Sequence, residues 1–331
     1  MKTPAAVLFE TNELEVVDLD IPKLKPGQVL VEIIYSGVCG TQIGEIRGLR
    51  GPDQYLPHCL GHEGSGIVWE ISEGVTKVKP DDKVILSWIK TGGANVNSTI
   101  YDYNGKKINA GGVTTFQKYA VVSENRLLTI DSRLSMTKAA LMGCPVPTGM
   151  GSVFKTADVG EGSSIIIFGA GGVGCCAVVA AKKRKCNPIV VIDPVTWKLD
   201  LAKNLGATHT QTTVQRFPGL CDYAIETSGK PEAIYSAMYA VKPQGGIVVI
   251  VGNSRFGTEL KINPSWFNQG KQLRGCWGGD SSPVYFLHLA YVDDYSLDFM
   301  VNNIYSLSYI NEAIKDLENG NVIRPLINMS L

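Results

Sequence analysis

Three residues in glycine-rich segments carry side chains that could bind a metal ion. Cys39 stands in the segment Ser-Gly-Val-Cys-Gly-Thr, His62 in Gly-His-Glu-Gly, and Cys144 in Gly-Cys-Pro. Two thiolates and one imidazole, with a fourth position left open, form a known catalytic zinc set. The three residues are far apart in the sequence, so spacing alone does not establish a site. Taken separately, each cysteine is more often a small buried hydrophobe than a ligand.

A glycine-rich segment at residues 169–174 has the spacing that binds dinucleotide phosphates. It reads Gly-Ala-Gly-Gly-Val-Gly, follows an apolar run and opens a helical segment, which is the context that the G-x-G-x-x-G motif requires. The first glycine makes the tight turn, the second lets the pyrophosphate approach, and the third allows close packing of helix on strand. An ordinary turn is the alternative interpretation. The glycines predicted to bind the cofactor are Gly169, Gly171, Gly172 and Gly174.

Asp193 follows the next apolar run, residues 189–192, about twenty residues beyond the glycines. A carboxylate at this place accepts hydrogen bonds from the hydroxyls of the adenosine ribose and repels a 2′-phosphate. The sequence therefore favours NAD over NADP. A turn residue at the end of a strand is the alternative interpretation.

The elements that must position these residues change character near Pro145. Before it, short runs rich in β-branched and aromatic residues are separated by turn signals such as Asn104-Gly105, a pattern typical of strands. From residue 164 to about residue 277, apolar runs alternate with helical stretches, which predicts a parallel sheet with helices on both faces. Residues 91–112 are polar and rich in Gly and Asn, so we predict an exposed loop or irregular lobe there.

The composition limits the classes of function. The chain has 331 residues, with 31 basic and 31 acidic side chains and 44% hydrophobic residues. Two domains are expected at this length, and a zero net charge without a basic block argues against a nucleic-acid partner. The uncharged stretch at residues 163–181 contains the glycine motif, so a strand, loop and helix explain it better than a membrane span. Eight scattered cysteines indicate reduced thiols and a cytoplasmic protein.

The order of these motifs resembles that of the zinc-dependent medium-chain alcohol dehydrogenases. The shared segments are Gly-Val-Cys39, Gly61-His62-Glu63-Gly64-x-Gly66-x-Val68, Gly143-Cys144-x-x-x-Thr148-Gly149-x-Gly151 and the glycine motif. The resemblance implies an α/β chain: a mainly β GroES-like catalytic domain at residues 1–145 and a doubly wound Rossmann domain at residues 146–277. Residues 278–331 would then return to the catalytic domain.

The resemblance also implies an activity. Such an enzyme transfers a hydride between an alcohol and NAD, reversibly with the carbonyl compound, and uses one catalytic zinc ion. Its partners would be a small-molecule alcohol or carbonyl substrate and further copies of the chain, in a homodimer or homotetramer, with no nucleic acid and no membrane.

Carried over residue by residue, the family pattern assigns roles around the metal. Cys39, His62 and Cys144 would be the zinc ligands. Glu63 would lie behind them and could contact the metal during ligand exchange. Thr41 stands where the family has the hydroxyl that accepts the substrate proton. Trp88 falls where an aromatic residue lines the substrate pocket, although an ordinary core aromatic is an equal alternative.

The family pattern assigns further roles around the cofactor. Thr148 would touch the nicotinamide, and Val173 would pack beside it. Lys198 would approach the adenosine ribose together with Asp193. Arg324, near the end of the chain, would be the basic residue that reaches the pyrophosphate.

The sequence departs from the family pattern at four places. No cysteine lies between Cys59 and Cys144, so the second, structural zinc of many relatives is not expected. Gly44 replaces the histidine that relays the proton, which would then leave through ribose hydroxyls and water. Gln42 replaces an aspartate that commonly orients the histidine ligand, which should alter either the zinc affinity or the acidity of zinc-bound water. Gly40 replaces a frequently basic residue near the pyrophosphate.

Two other functions keep the same fold and stay open at this point. One is a catalytically silent scaffold that binds NAD and a partner, and the other is a zinc-free, NADPH-dependent enone reductase. The complete set of three zinc ligands argues against both, because function is a property of the site rather than of the fold. The class of alcohol also stays open: primary, secondary, polyol, cyclitol and sugar hydroxyls are all compatible with the motifs.

Overall fold

The protein is described by a computed structural model that covers residues 1–213, 221–292 and 297–331. The chain forms two compact units. The first unit combines residues 1–144 with residues 282–331, and the second unit is residues 145–281. Within the covered residues, no helix combines the length and the apolar character needed to cross a membrane.

The described residues form strands and helices in both units. The described strands are β1 (Lys2–Glu10), β2 (Glu13–Asp20), β3 (Gln28–Gly37), β4 (His58–Cys59), β5 (Glu63–Ile71), β6 (Lys83–Ser87), β7 (Ile100–Tyr103), β8 (Lys106–Asn109), β9 (Tyr119–Ser123), β10 (Leu127–Thr129), β11 (Ile165–Phe168), β12 (Ile189–Ile192), β13 (His209–Gln211), β14 (Tyr223–Glu226), β15 (Ile247–Ile250), β16 (Gln272–Gly275), β17 (Ile304–Ser306) and β18 (Leu326–Asn328). The described helices are α1 (Gly40–Ile46), α2 (Met136–Leu141), α3 (Pro145–Gly151), α4 (Gly172–Lys183), α5 (Thr196–Leu205), α6 (Pro231–Ala240), α7 (Ser265–Asn268), α8 (Pro283–Val292) and α9 (Ile310–Glu318).

The first unit is built on two β-structures. Strands β1, β2, β7, β8 and β4 close a small barrel, and a seven-stranded sheet has the order β10-β6-β5-β3-β18-β17, with β9 also paired to β3. Strand β3 is buried along most of its length because it pairs with β5, β9 and β18. Apolar side chains that alternate along these strands, such as Val29, Val31 and Ile33, lie in the main core of the unit.

The expectation of an exposed loop at residues 91–112 is wrong in part, because the segment contains the antiparallel hairpin β7–β8. Asn104 and Gly105 join the two strands with positive φ values of 53° and 85°, as a tight hairpin turn requires. Tyr101 and Ile108 face inward and are buried in the barrel core. The polar composition masked a strand pair whose buried positions are few but large.

The loop before this hairpin is fixed by one buried carboxylate. Glu124 accepts hydrogen bonds from the backbone N–H groups of Thr76, Lys77 and Ala94 at 2.6, 2.5 and 2.7 Å. Lys77 donates from its ammonium group to the hydroxyl of Thr91 at 3.0 Å and to the carbonyl of Gly92. These contacts hold residues 91–94 against the sheet.

The second unit has a six-stranded parallel sheet of order β13-β12-β11-β14-β15-β16. This order reverses direction between β11 and β14, as in a doubly wound nucleotide-binding fold. Ile166 and Phe168 of β11 pack with Ala237 of α6 on one face, while Ile165 and Ile167 point to the opposite face and are also buried. The predicted α/β architecture with a doubly wound sheet is confirmed.

Candidate active site

The sheet of the first unit brings two of the candidate ligands together. In the antiparallel pair β3–β5, Ser36 lies opposite Gly64, so Cys39, just after β3, approaches His62, just before β5. Cys144 reaches the same place from another direction. Ser87 on β6 lies opposite Glu63 and donates a hydrogen bond of 2.7 Å to the carbonyl of the residue before Cys144.

The three ligand atoms form a compact cluster. The sulfur atoms of Cys39 and Cys144 and a ring nitrogen of His62 all lie within 4.8 Å of one another. The Nε2 atom of His62 is 3.3 Å from the sulfur of Cys144. Both thiols are buried and His62 is partly buried. Two soft sulfur donors and one borderline nitrogen donor at these distances fit a zinc ion.

The electrostatics of the cluster favour a thiolate. The hydrogen bond from Cys144 and the positive charge of Arg324 lower the pKa of Cys39 well below its ordinary value, against the effect of burial. The same hydrogen bond and burial raise the pKa of Cys144 well above its ordinary value. Burial alone would lower the pKa of His62, but the hydrogen bond and charge of Cys39 raise it. These directions favour the thiolate form at Cys39, which is the form that binds a metal cation.

Behind the cluster lies a buried ion pair between Arg324 and Glu63. The guanidinium Nη2 is 2.7 Å from the Glu63 carboxylate, and the two side chains are 4% and 0% exposed. Burial raises the pKa of Glu63 to about 7, although the charge of Arg324 opposes the rise. Burial would lower the pKa of Arg324, yet the charges of Cys39, Glu63 and Cys144 raise it, so the guanidinium stays charged.

Two glycines leave room for the Glu63 side chain. A Cβ atom at Gly37 would lie 2.5 Å from the carboxylate Oε1, and one at Gly143 would lie 2.9 Å from the Glu63 Cβ. The backbone carbonyl of Glu63 accepts hydrogen bonds from the hydroxyls of Ser36 and Thr115 at 3.0 and 2.9 Å. The glycines of the sequence motifs therefore serve the residue behind the metal cluster as well as the chain turns.

The predicted pocket residues lie beside this cluster. The Thr41 hydroxyl is 3.6 Å from the sulfur of Cys39. The ring of Trp88 meets that of His62 edge-on, with centroids 6.5 Å apart and an interplanar angle of 67°. Arg126 donates a hydrogen bond to the Trp88 carbonyl, which fixes the backbone at this point. Trp88 therefore lies beside the cluster, and its role in a substrate pocket stays a prediction.

In the second unit, the glycine loop has the geometry that its three glycines predict. Gly169 adopts a φ of +94°, which favours glycine. A Cβ atom at Gly174 would lie 1.9 Å from the carbonyl oxygen of Gly169, whereas a Cβ at Gly171 would meet no atom within 4 Å. The loop is therefore tight on the protein side and open on the side where a pyrophosphate must approach the start of α4.

Asp193 orients this loop. One carboxylate oxygen accepts the N–H of Ala170 at 2.8 Å, and the other accepts the N–H of Val195 at 2.9 Å. Asp193 and Lys198 both act electrostatically on Cys175, so the two side chains lie in the same region of the unit. The remaining lone pairs of the carboxylate fit the hydroxyls of a ribose.

Thr148 and Val173 lie on helices in direct contact. A Cβ atom at Gly149 on α3 would be 2.2 Å from the carbonyl oxygen of Val173 on α4, so the two backbones touch at this point. The Thr148 hydroxyl is buried and has no hydrogen-bond partner within the described residues. Because a buried hydroxyl normally finds a partner, this one fits the polar group of a bound cofactor.

Comparisons with known proteins connect both halves of this arrangement to one family. Residues 25–132 match the model of the alcohol dehydrogenase GroES-like domain, and residues 172–290 match that of the zinc-binding dehydrogenase. The S-(hydroxymethyl)glutathione dehydrogenase of Photobacterium damsela subsp. piscicida is 31% identical over 99% of this chain and 100% of its own length. The chain belongs to the zinc-dependent alcohol dehydrogenase family.

Solved structures agree with this assignment to the zinc-dependent alcohol dehydrogenases. Benzyl alcohol dehydrogenase from Acinetobacter calcoaceticus superposes with a TM-score of 0.88 at 27% identity, covering 99% of both chains. An alcohol dehydrogenase zinc-binding domain protein from Burkholderia ambifaria gives a TM-score of 0.89 at 26% identity, again over 99% of both chains. The resemblance inferred from the motifs is confirmed, as are the expectations of an oxidoreductase acting on CH–OH groups and of a zinc-binding site.

Sequence reasoning missed two features of this dehydrogenase site. The first is the pairing of Arg324 with Glu63, which no spacing in the sequence signals because the two residues are brought together by the pairing of β18 with β3. In the family pattern Arg324 reaches the pyrophosphate, and that role stays a prediction.

The second missed feature is Glu45. It follows Thr41 by four residues on α1 and therefore lies on the same helix face, a spacing that could have indicated it. Burial raises the pKa of Glu45, and its electrostatic interactions with His62, His58 and Arg50 oppose the rise. A carboxylate thus stands within electrostatic reach of the histidine of the cluster.

Proposed function

We propose that the protein is a zinc-dependent alcohol dehydrogenase that transfers a hydride between a small alcohol and NAD, reversibly with carbonyl reduction. The observation that carries the proposal is the buried cluster of Cys39, His62 and Cys144, whose ligand atoms lie within 4.8 Å of one another. A catalytically silent scaffold has no use for a thiolate, an imidazole and a second thiol held together in this way.

The residues of the cluster and their neighbours have separate roles in the proposed reaction. Cys39, His62 and Cys144 would hold the zinc ion. A zinc ion bound there would act as a Lewis acid and lower the pKa of a substrate hydroxyl. Thr41, 3.6 Å from the Cys39 sulfur, accepts the released proton and passes it to water. Glu63 stays paired with Arg324 behind the ligands.

The second unit binds and orients the dinucleotide. Gly171 leaves space for the pyrophosphate at the start of α4, and Thr148 offers its unpaired hydroxyl to the nicotinamide end. Val173 packs beside that ring. Asp193, with Lys198 near it, binds the adenosine ribose and selects NAD against NADP by the charge of its carboxylate.

Trp88 limits the size of the substrate. Its ring lies edge-on to His62, so a bulky group next to the reacting carbon would collide with the indole. The relatives named above act on a hydroxymethyl thiol adduct and on an aromatic primary alcohol according to their names. We propose an alcohol whose reacting carbon carries little bulk.

We further propose a homodimer or homotetramer in the cytoplasm. Strand β16 is an edge strand of the six-stranded sheet, and an unpaired edge is a template for another chain. Trp277, two residues beyond β16, is 75% exposed, which supports a protein partner at this edge. All eight cysteines are free thiols, as a reducing compartment requires. The mass of the protein by light scattering tests the oligomeric state.

A substitution pair tests the proposed function. Zinc-loaded protein is assayed for NADH formation with a panel of primary, secondary, polyol and sugar alcohols. Cys39→Ser should lose zinc and turnover while it retains NADH binding. Cys59→Ser is the matched control, because Cys59 is also a buried thiol but lies in the barrel core, and it should keep all three properties.

Other results would contradict the proposal. Turnover and full zinc content in Cys39→Ser would remove Cys39 from the ligand set. Wild-type protein that binds no zinc and forms no NADH would favour the silent scaffold. A strong preference for NADPH without zinc would favour the enone reductase.

A further inference from the structure

The side chain of Gln42 joins two residues of the metal cluster. Its Oε1 atom accepts the backbone N–H of Cys39 at 3.0 Å, and its Nε2 atom is 2.5 Å from the Nδ1 atom of His62. Gln42 is only 2% exposed, so these contacts are shielded from bulk water. The orientation of this amide therefore determines which ring nitrogen of His62 can offer its lone pair to a metal.

The backbone fixes the orientation of the amide. An N–H group of the main chain can only donate, so the oxygen end of Gln42 must face Cys39. The NH2 end then faces His62, and Nδ1 has to accept a hydrogen bond. A neutral imidazole that accepts at Nδ1 carries its hydrogen on Nε2. In His62 that is the nitrogen 3.3 Å from the sulfur of Cys144.

Metal binding requires the opposite arrangement. A ligating nitrogen must offer its lone pair to the ion, and the other ring nitrogen then carries the hydrogen and donates it. With the hydrogen on Nδ1, two donors would face each other between His62 and Gln42. Turning the amide over would only move the same conflict to the N–H of Cys39.

We propose that Gln42 is a positioning residue that weakens metal binding at this site, by stabilising the arrangement of His62 that cannot ligate through Nε2. This inference rests on the metal site of the proposed function and deepens it. The site should bind zinc more weakly and release it faster than the same site with an acceptor-only side chain at position 42. Groups that orient ligands in this way change metal affinity by about 10- to 100-fold.

Two substitutions at position 42 test the proposal by metal affinity alone. In Gln42→Glu, both carboxylate oxygens can accept, one from Cys39 and one from Nδ1–H of His62. In Gln42→Met, the NH2 group that stabilises the metal-free arrangement is gone and the side chain keeps its length. The dissociation constant for zinc is measured by competition with a chromophoric chelator, and the release rate by transfer to excess chelator.

Gln42→Glu should bind zinc most tightly, Gln42→Met less tightly, and wild type most weakly. Gln42→Glu should bind at least about 10-fold more tightly than wild type. If Gln42 instead supported the metal, Gln42→Met would bind more weakly than wild type, and that result would overturn the proposal even if Gln42→Glu failed to fold. Equal affinities of all three proteins would overturn it as well.

A charge control separates the hydrogen-bond effect from simple attraction. Gly40→Glu adds the same negative charge to the same helix at an exposed position where a Cβ atom meets nothing within 4 Å. It should stay within about 3-fold of wild type, since exposed charges are screened. If Gly40→Glu increased the zinc affinity as much as Gln42→Glu does, that result would refute the hydrogen-bond argument. Zinc-loaded wild type that oxidises no alcohol would contradict the proposed function but not this order of affinities.

Discussion

The most direct test of the cofactor assignment is to remove the negative charge of Asp193. This carboxylate ends β12 and accepts hydrogen bonds from Ala170 and Val195 in and beside the glycine loop. The substitution Asp193→Asn removes the charge and preserves the size of the side chain. One of the two loop contacts must be lost, because an amide has one acceptor atom where the carboxylate has two.

The size of the effect follows from two separate contributions. The lost loop contact leaves a backbone N–H facing a donor, which costs about 1–3 kcal/mol and weakens NADH and NADPH alike, because both carry the same pyrophosphate. The lost charge removes the repulsion of the 2′-phosphate of NADPH and weakens the hydrogen bonds to the ribose hydroxyls of NADH, and both effects move the ratio toward NADPH. Two unit charges about 5 Å apart repel by about 3 kcal/mol at an effective dielectric constant of about 20. With screening by salt, we expect a change in the ratio of the two affinities of about 10- to 100-fold in favour of NADPH.

Fluorescence titration of NADH and NADPH measures both dissociation constants and therefore their ratio. Asp200→Asn is the matched control, because Asp200 is an exposed acid on α5 whose partner is Lys203 at 3.0 Å. This control should leave the ratio unchanged. An unchanged ratio in Asp193→Asn would refute the charge argument, and a fall in both affinities without a change of ratio would restrict Asp193 to the support of the loop.

Two further predictions concern the loop and the fold. Gly174→Ala should lower both the stability and the NADH affinity, because its Cβ would lie 1.9 Å from the carbonyl oxygen of Gly169. Gly171→Ala should keep the thermal stability and lose only NADH affinity, because its Cβ meets no protein atom within 4 Å. Wild-type NADH binding in Gly171→Ala would contradict the assignment of the phosphate site. Glu124→Gln should lower the free energy of unfolding by about 1–3 kcal/mol at neutral pH, because one or more backbone N–H groups lose their acceptor. Burial would raise the pKa of Glu124, but the N–H groups of Ala94, Lys77 and Thr76 lower it. The contribution of Glu124 to the free energy of unfolding is therefore present above the carboxyl pKa of the unfolded chain, about 4.3. It is lost as the pH falls through the lower pKa of the folded state. Denaturant unfolding at several pH values should therefore show wild type and Glu124→Gln converging in acid, and a constant difference would contradict this reasoning.

Strong periodic patterns made the nucleotide-binding unit predictable. Strands β11, β12 and β14 begin and end where the apolar runs of the sequence do. A buried parallel strand is apolar on both faces, so its limits are visible without knowledge of its neighbours. The glycine motif is local as well, since the turn, the phosphate site and the helix start lie within six consecutive residues.

The hairpin β7–β8 was not predictable from the same reasoning. Lys106 and Lys107 are exposed and polar, Tyr101 and Ile108 are fully buried in the core, and Tyr103 packs against that core while partly buried. Four-residue strands with two buried side chains give almost no periodic signal. The turn at Asn104-Gly105 was visible, but its partner strands gain their stability from β2 and β4, which are distant in the sequence.

The metal cluster shows which part of a site sequence motifs can identify. The identity of Cys39, His62 and Cys144 follows from motifs, because a thiolate or imidazole ligand has few substitutes. The direction of the hydrogen bond between Gln42 and His62 follows only from the structure, because it depends on the N–H of Cys39 occupying the single acceptor of the amide. The sequence shows that an amide replaces a carboxylate; it does not show that the amide has its donor end toward the ligand. The three residues that come together could therefore be predicted, whereas the orientation of the Gln42 amide required the coordinates.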